Sequence, residues 1–186
     1  MLKFNHINVY ILTGGSSRRF GSDKALAPIC NHTFTEELYN NFSAIANKVA
    51  IVGKKQHFHT LPFIYDALDV QCPLVGLYTA LTNSDTNWNF IISVDMPLID
   101  MQVAQLLLPH KIEKVQIVLP RVNDKLYPLC AFYRSSLKEK IYNTILQKSF
   151  KLMDFIKSAP HQIVDVLDTS NQFININNPD QINILD

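Results

Sequence analysis

The sequence predicts an α/β fold of three layers, with a mostly parallel sheet between two layers of helices. Three observations carry that expectation. Short β-branched apolar runs recur along the chain, segments of helical spacing separate them, and three of the five glycines fall directly behind the first run. The runs are Ile7–Leu12, Lys48–Val52, Asn89–Val94 and Val115–Leu119. Near-continuous apolarity over so few residues suits strands buried on both faces, as parallel strands are. Between them, Thr35–Ala46 places Leu38, Phe42 and Ile45 on one helical face, and Leu74–Leu81 and Met101–Leu108 behave alike. Thr35 with Glu37, and Asp100 ahead of Gln102, read as helix openings. Lys138–Gln147 and Leu152–Lys157 read as late helices, with a strand at Gln162–Val166. Strand–helix alternation implies right-handed crossovers, and ligands in such sheets bind outside the carboxyl ends of the strands. The residues just after Leu12, Val52, Val94 and Leu119 are therefore the first candidates for a site.

A length of 186 residues predicts one domain over residues 1–186, since domains run to about 100–200 residues. With 47% hydrophobic and 18% charged residues the chain is neither disordered nor of low complexity. Seventeen basic residues face sixteen acidic ones, and no run of like charge exceeds two. A broad nucleic-acid or membrane-surface partner needs a concentrated basic face, so neither is expected and a small-molecule substrate is. Cys30, Cys72 and Cys130 form no CxxC pair, which fits a reducing compartment. The N-terminal run is too short and too polar for a secretion signal, so a cytoplasmic location is expected.

Gly14, Gly15 and Gly21 are followed or interleaved by Ser16, Ser17, Arg18, Arg19 and Lys24. Glycine permits the close backbone approach of a concave nest, whose N–H groups hold anions, and Lys24 adds a movable point charge. Neither GxxxxGK[ST] nor GxGxxG is present, so the loop is not a P-loop or a dinucleotide fingerprint. Further on, Asp95 closes the third run and precedes Met96-Pro97, which places one carboxylate over the sheet crevice. Mg²⁺ is commonly held by one or two carboxylates with phosphate oxygens and water, so a single Asp suffices.

Leu12–Leu26, LTGGSSRRFGSDKAL, resembles the glycine-rich signature of nucleotidyltransferases, above all the molybdenum cofactor guanylyltransferases of the MobA family. Thr13 stands where Ala is usual and Phe20 where Met is usual. The resemblance extends over essentially the whole chain. Ser93–Pro97 is similar to the family's metal-binding Asp motif. Ile64–Leu81 is similar to its Asp…GPLAGI segment, with Asp66 the best match and Asp69 a second, and with Cys72 where Gly is usual. Tyr127–Tyr133 resembles its acceptor-side strand, and Phe173–Asp180 its FxNxNTPEE stretch, where alternation puts Asn175 and Asn177 on one side.

The fold so implied is nucleotide-diphospho-sugar-transferase-like, with a Rossmann-like nucleotide-binding topology. The implied activity is transfer of GMP from GTP to molybdopterin-bound molybdenum cofactor, giving the guanine dinucleotide form and pyrophosphate. The resemblance assigns catalysis to Lys24, Arg19 and Asp95. It assigns nucleotide binding to Leu12, Thr13, Gly14, Gly15, Lys24, Asp66 and Asp95. Mg²⁺ falls to Asp95 with Asn177, and the acceptor side to Asn175, Tyr127 and Pro128. Arg121 would reach an acceptor phosphate or stand in solvent. Lys54, Lys55, His57 and His59 read as a solvated loop, and Cys72 as a small buried hydrophobe. The implied partners are GTP, the molybdopterin cofactor and, transiently, molybdoenzymes or cofactor-insertion chaperones, with a monomer expected. Two alternatives stay open: a cytidylyltransferase of the same fold acting on molybdopterin or a sugar or alcohol phosphate, and a non-catalytic nucleotide- or pterin-binding module.

Overall fold

The computed structural model describes residues 4–14, 23–167, 171–178 and 181. In chain order the elements are β1 (Phe4–Leu12), β2 (Pro28–Ile29), β3 (His32–Thr33), α1 (Phe34–Ser43), β4 (Ala46–Gly53), β5 (Phe63–Tyr65), α2 (Pro73–Thr82) and β6 (Trp88–Ser93). They continue as α3 (Met101–Leu107), β7 (Ile117–Val122), β8 (Lys125–Leu126), β9 (Cys130–Arg134), α4 (Lys138–Leu146), α5 (Leu152–Lys157) and β10 (His161–Asp165). The main sheet runs β10-β7-β9-β6-β1-β4-β5, with β8 paired to β7, while β2 and β3 form a separate hairpin. Within the main sheet the strands run parallel except β8 and β9.

Alternation along each strand divides the core into two. Ile7, Val9 and Ile11 of β1 join Phe34, Leu38 and Phe42 of α1 and Val103 and Leu107 of α3. Tyr10 and Leu12 face the opposite way, onto Leu74 and Leu77 of α2, Ile141 of α4 and Phe155 of α5. Each strand thus feeds both helical layers, which is why its sequence reads as an unbroken apolar run. α2 lies close on β1, for a Cβ added at Gly76 would stand 3.3 Å from the Leu12 side chain.

The reversal at β9 has a local cause. Only residues 123–129 connect β7 to β9, short of the dozen or so that a parallel crossover needs. Asn123 and Asp124, at φ 47° and 64°, turn the chain back through a hairpin instead, and β9 enters the gap between β7 and β6 antiparallel to both. The opening of α1 also differs from the sequence expectation. Thr33, not Thr35, is the N-cap, and it forms a complete capping box with Glu36. Thr35 is buried, where its hydroxyl donates to the Ala25 carbonyl at 2.8 Å. Asp100 caps α3 as expected, accepting from Gln102 N.

Candidate active site

The chain fills the β4–β5 side of β1 first and then crosses to β6 on the other side, so the strand order reverses around β1. A crevice is expected at the carboxyl ends there. A cavity of ≈ 590 Å³ opens at that place, with Leu12, Thr13 and Gly14 after β1, Asp66 after β5, and Cys72 and Pro73 at the start of α2 in its wall.

The floor is tied across the strand ends. Thr13 donates twice to the Val52 carbonyl, from its N–H at 2.9 Å and its hydroxyl at 3.1 Å. Val94 N–H bonds the Leu12 carbonyl at 3.0 Å and Asp66 N–H the Gly53 carbonyl at 2.9 Å. Asp66 is thereby brought beside Gly14, where a Cβ would sit 3.7 Å from its Oδ2. Burial raises the pKa of Asp66, opposed by the nearby charge of Lys54.

A second group gathers beyond β6. Lys24 Nζ donates to Asn177 Oδ1 at 2.9 Å, and Ile176 N–H donates to the Asp95 carbonyl at 2.8 Å, so the segment around 175–177 crosses over Asp95. Partial burial lowers the Lys24 pKa, and the Asp95 carboxylate pushes it back up. Asp66 Oδ1, Asp95 Oδ1 and Asn175 Oδ1 are buried oxygens with no hydrogen-bond partner among the described residues. Such oxygens are rare in folded proteins and mark places where an ion, a water or a ligand donor completes the shell. A carboxylate and a side-chain carbonyl are hard donors of the kind Mg²⁺ takes, so Asp95 and Asn175 fit that ion.

A family model described as the MobA-like NTP transferase domain matches residues 9–163. The chain belongs to that family. The molybdenum cofactor guanylyltransferase of Campylobacter jejuni subsp. doylei is 30% identical over 179 residues, 95% of this chain and 93% of that protein. Among solved structures, the molybdopterin-guanine dinucleotide biosynthesis protein A of Archaeoglobus fulgidus shares the fold with a TM-score of 0.80 at 21% identity, over 96% of both chains. The 2-C-methyl-D-erythritol 4-phosphate cytidylyltransferase of Thermus thermophilus does so with a TM-score of 0.68 at 12% identity, over 95% of both.

In this MobA-like protein the residues read from sequence fall into two groups and a remainder. Leu12, Thr13, Gly14 and Asp66 share the cavity wall. Lys24, Asp95, Asn175 and Asn177 share the second group. Gly15 and Arg19 lie outside the described residues. Tyr127 packs its ring on Phe173 at 4.9 Å under the Lys125 amine, and the Pro128 carbonyl accepts from the Tyr133 hydroxyl at 2.7 Å, while the next residue, Leu129, reaches the cavity. Asp69 is exposed and paired with Lys54 at 2.9 Å.

The Arg121 side chain stands partly in solvent, the outcome expected of it, with its guanidinium forked onto both carboxylate oxygens of Asp165 at 2.6 and 2.8 Å. Two other sequence expectations are corrected. Cys72 is the half-buried N-cap of α2 in the cavity wall, not a core hydrophobe. His57 is not a solvated loop residue, since 10% of its side chain is exposed and its Nε2 lies 2.7 Å from Asp23 Oδ2. That pairing joins residues from two separate loops, and no spacing in the sequence could have signalled it.

Proposed function

We propose that the protein is a molybdenum cofactor guanylyltransferase that transfers GMP from GTP to the phosphate of molybdopterin-bound molybdenum cofactor and releases pyrophosphate. Membership of the MobA-like family supports the reaction class, and the whole-length likeness to the Campylobacter guanylyltransferase supports the substrates. The observation in the fold that carries the reading is the convergence of Lys24, Asp95, Asn175 and Asn177 beside a cavity of nucleotide size.

In this mechanism an acceptor phosphate oxygen attacks the α-phosphorus of GTP, and the bond from that phosphorus to the β-bridging oxygen breaks. Both reactants are anionic, so the protein's task is positioning and charge stabilisation. Gly14 and the floor at Thr13 admit the nucleotide close to the backbone, and Asp66 accepts from its hydroxyl or amine donors. Lys24, steered by Asn177, presents an ammonium to the departing pyrophosphate. Mg²⁺ held by Asp95 with the Asn175 oxygen would act as Lewis acid and template.

The test is a thermal-shift panel of GTP, CTP, ATP and UTP with and without Mg²⁺, followed by transfer from α-labelled GTP to molybdopterin. A ligand at about 100 times its Kd adds about 2.7 kcal/mol, a readable shift. A shift with GTP and Mg²⁺ followed by labelled dinucleotide is the expected result. The fold shared with the Thermus cytidylyltransferase favours CTP as the second reading, and a shift with CTP alone would replace the first.

A further inference from the structure

The Asp23 carboxylate does two jobs with its two oxygens. Oδ1 accepts from Ala25 N–H at 3.1 Å and so caps the single helical turn Lys24–Leu26. Oδ2 meets His57 Nε2 at 2.7 Å. His57 comes from the loop between β4 and β5, on the far side of the β1 end from the second group of site residues. A carboxylate only accepts, so the imidazole carries a proton on Nε2 and donates.

The turn bearing Lys24 is held from behind as well. Thr35 of α1 donates to the Ala25 carbonyl, and Phe34 N–H donates to the Ala27 carbonyl at 2.9 Å. These contacts fix the end of the turn that follows Lys24. The end that precedes it rests on Asp23, a residue of the cavity wall together with Lys54 and Lys55. Without the imidazole, Oδ2 would be drawn to those lysines, and rotation toward them would pull Oδ1 off its cap. It would also leave a bare carboxylate in the path of an anionic ligand. We propose that His57 is a positioning residue for nucleotidyl transfer, which fixes the Lys24 turn by gripping the Asp23 carboxylate and turning it away from the cavity. The proposal rests on the function above for its kinetic part, but its structural part needs no nucleotide.

The experiment uses the full chain as wild type, His57→Leu and His57→Gln. Leucine keeps the bulk and loses the donor, whereas glutamine places an amide N–H near the position of Nε2. First, without nucleotide, acylation of Lys24 by an N-hydroxysuccinimide ester is followed by peptide mass spectrometry, with Lys151 as internal reference. The Lys24 rate rises at least about threefold in His57→Leu and returns to within about twofold of wild type in His57→Gln, because a loosened turn opens locally more often. Equal Lys24 rates in all three proteins overturn the proposal, whatever the nucleotide. Second, GTP turnover in His57→Leu falls about 10- to 100-fold in kcat with KM within about threefold, and His57→Gln recovers it. A raised KM with unchanged kcat overturns positioning in favour of direct binding. Wild type that labels as expected yet transfers no GMP counts against the guanylyltransferase reading and leaves the labelling series to decide the role of His57. If His57→Leu does not fold, His57→Asn, whose shorter amide falls short of Asp23, takes its place with the same outcomes.

Discussion

Lys24 Nζ donates to Asn177 Oδ1 at 2.9 Å, joining residues 153 positions apart in the chain. The link fastens the C-terminal segment over the first βα connection and contributes to the aim of the lysine. On the proposed function, Lys24→Ala removes the charge that would face the leaving pyrophosphate, and loss of one such preorganised group is expected to lower kcat by about 10²–10³. Asn177→Ala leaves the charge but releases its aim, for a smaller loss of about tenfold. Pyrophosphate release, measured at saturating GTP with the thermal midpoint as control, checks both. An unchanged rate in folded Lys24→Ala would remove Lys24 from the chemistry.

Gly53 and Thr13 are matched in size. A Cβ at Gly53 would stand 2.3 Å from Thr13 Oγ1, well inside contact distance, and Thr13 cannot swing aside without breaking its bond to the Val52 carbonyl. Gly53→Ala is therefore expected to destabilise by about 1–3 kcal/mol, as overpacking of a tight site does. Thr13→Ala alone gives up one hydrogen bond, about 1 kcal/mol. The double variant is less destabilised than the sum, because the oxygen that the new methyl strikes is gone. Urea unfolding of the four proteins measures the coupling, and additive effects would mean that the clash is relieved elsewhere.

The strands and helices were legible because each strand is buried on both faces and each helix on one, so burial writes itself into local sequence. Asp95 was legible for the same reason, falling directly behind an apolar run at the end where α/β sheets bind ligands, whereas Asp66 was reached through the family resemblance of Ile64–Leu81. The antiparallel course of β9 was not, since it follows from the short connection behind β7 and from two left-handed residues at its hairpin, Asn123 and Asp124. Nor were the pairs His57–Asp23 and Arg121–Asp165, whose members lie 34 and 44 residues apart and meet only once the sheet is assembled. The cap of α1 was in fact written locally, because Thr33 has Glu36 at the capping-box spacing and Thr35 has Leu38 there, while Thr35 is buried against the Lys24 turn.

Asp66 predicts a pH-dependent trade between stability and function. Its pKa is raised by burial, so between the unfolded value and the folded one the native state binds more protons than the unfolded state. Stability then falls as pH rises through that window and stays lowered above it. Asp66→Asn, which carries no charge, is expected to raise the thermal midpoint at neutral pH, with the difference vanishing as pH falls below the ordinary carboxylate range. The same variant weakens nucleotide binding, because an acceptor-only carboxylate becomes an amide. A midpoint difference that persists in acid would mean that the gain comes from packing and not from charge.

At the opposite pole of the sheet, Asn8 is fully buried and completely engaged. Its amide nitrogen donates to Asp85 at 2.7 Å and to Ser84 at 3.3 Å, and its carbonyl accepts from Asn47 at 2.9 Å. The network continues through Ser84 to Asn89, whose amide donates to Ser135 at 2.8 Å. It ties the entry of β1 to that of β4, to the α2–β6 connection and to the end of β9. Asn8→Ala removes several hydrogen bonds at once, but Asp85 and Asn47 are exposed and turn to water, so the loss is at the lower end of about 1–3 kcal/mol. For a chain of this length that lowers the midpoint by about 2–4 °C. The strand ends that carry the site are at the other pole, and GTP turnover per folded molecule is expected to stay unchanged at a temperature below the new midpoint. Loss of turnover in protein that is still folded would show that the two poles are coupled through β1, which buried, parallel-paired strands held at both ends by hydrogen bonds are not expected to allow.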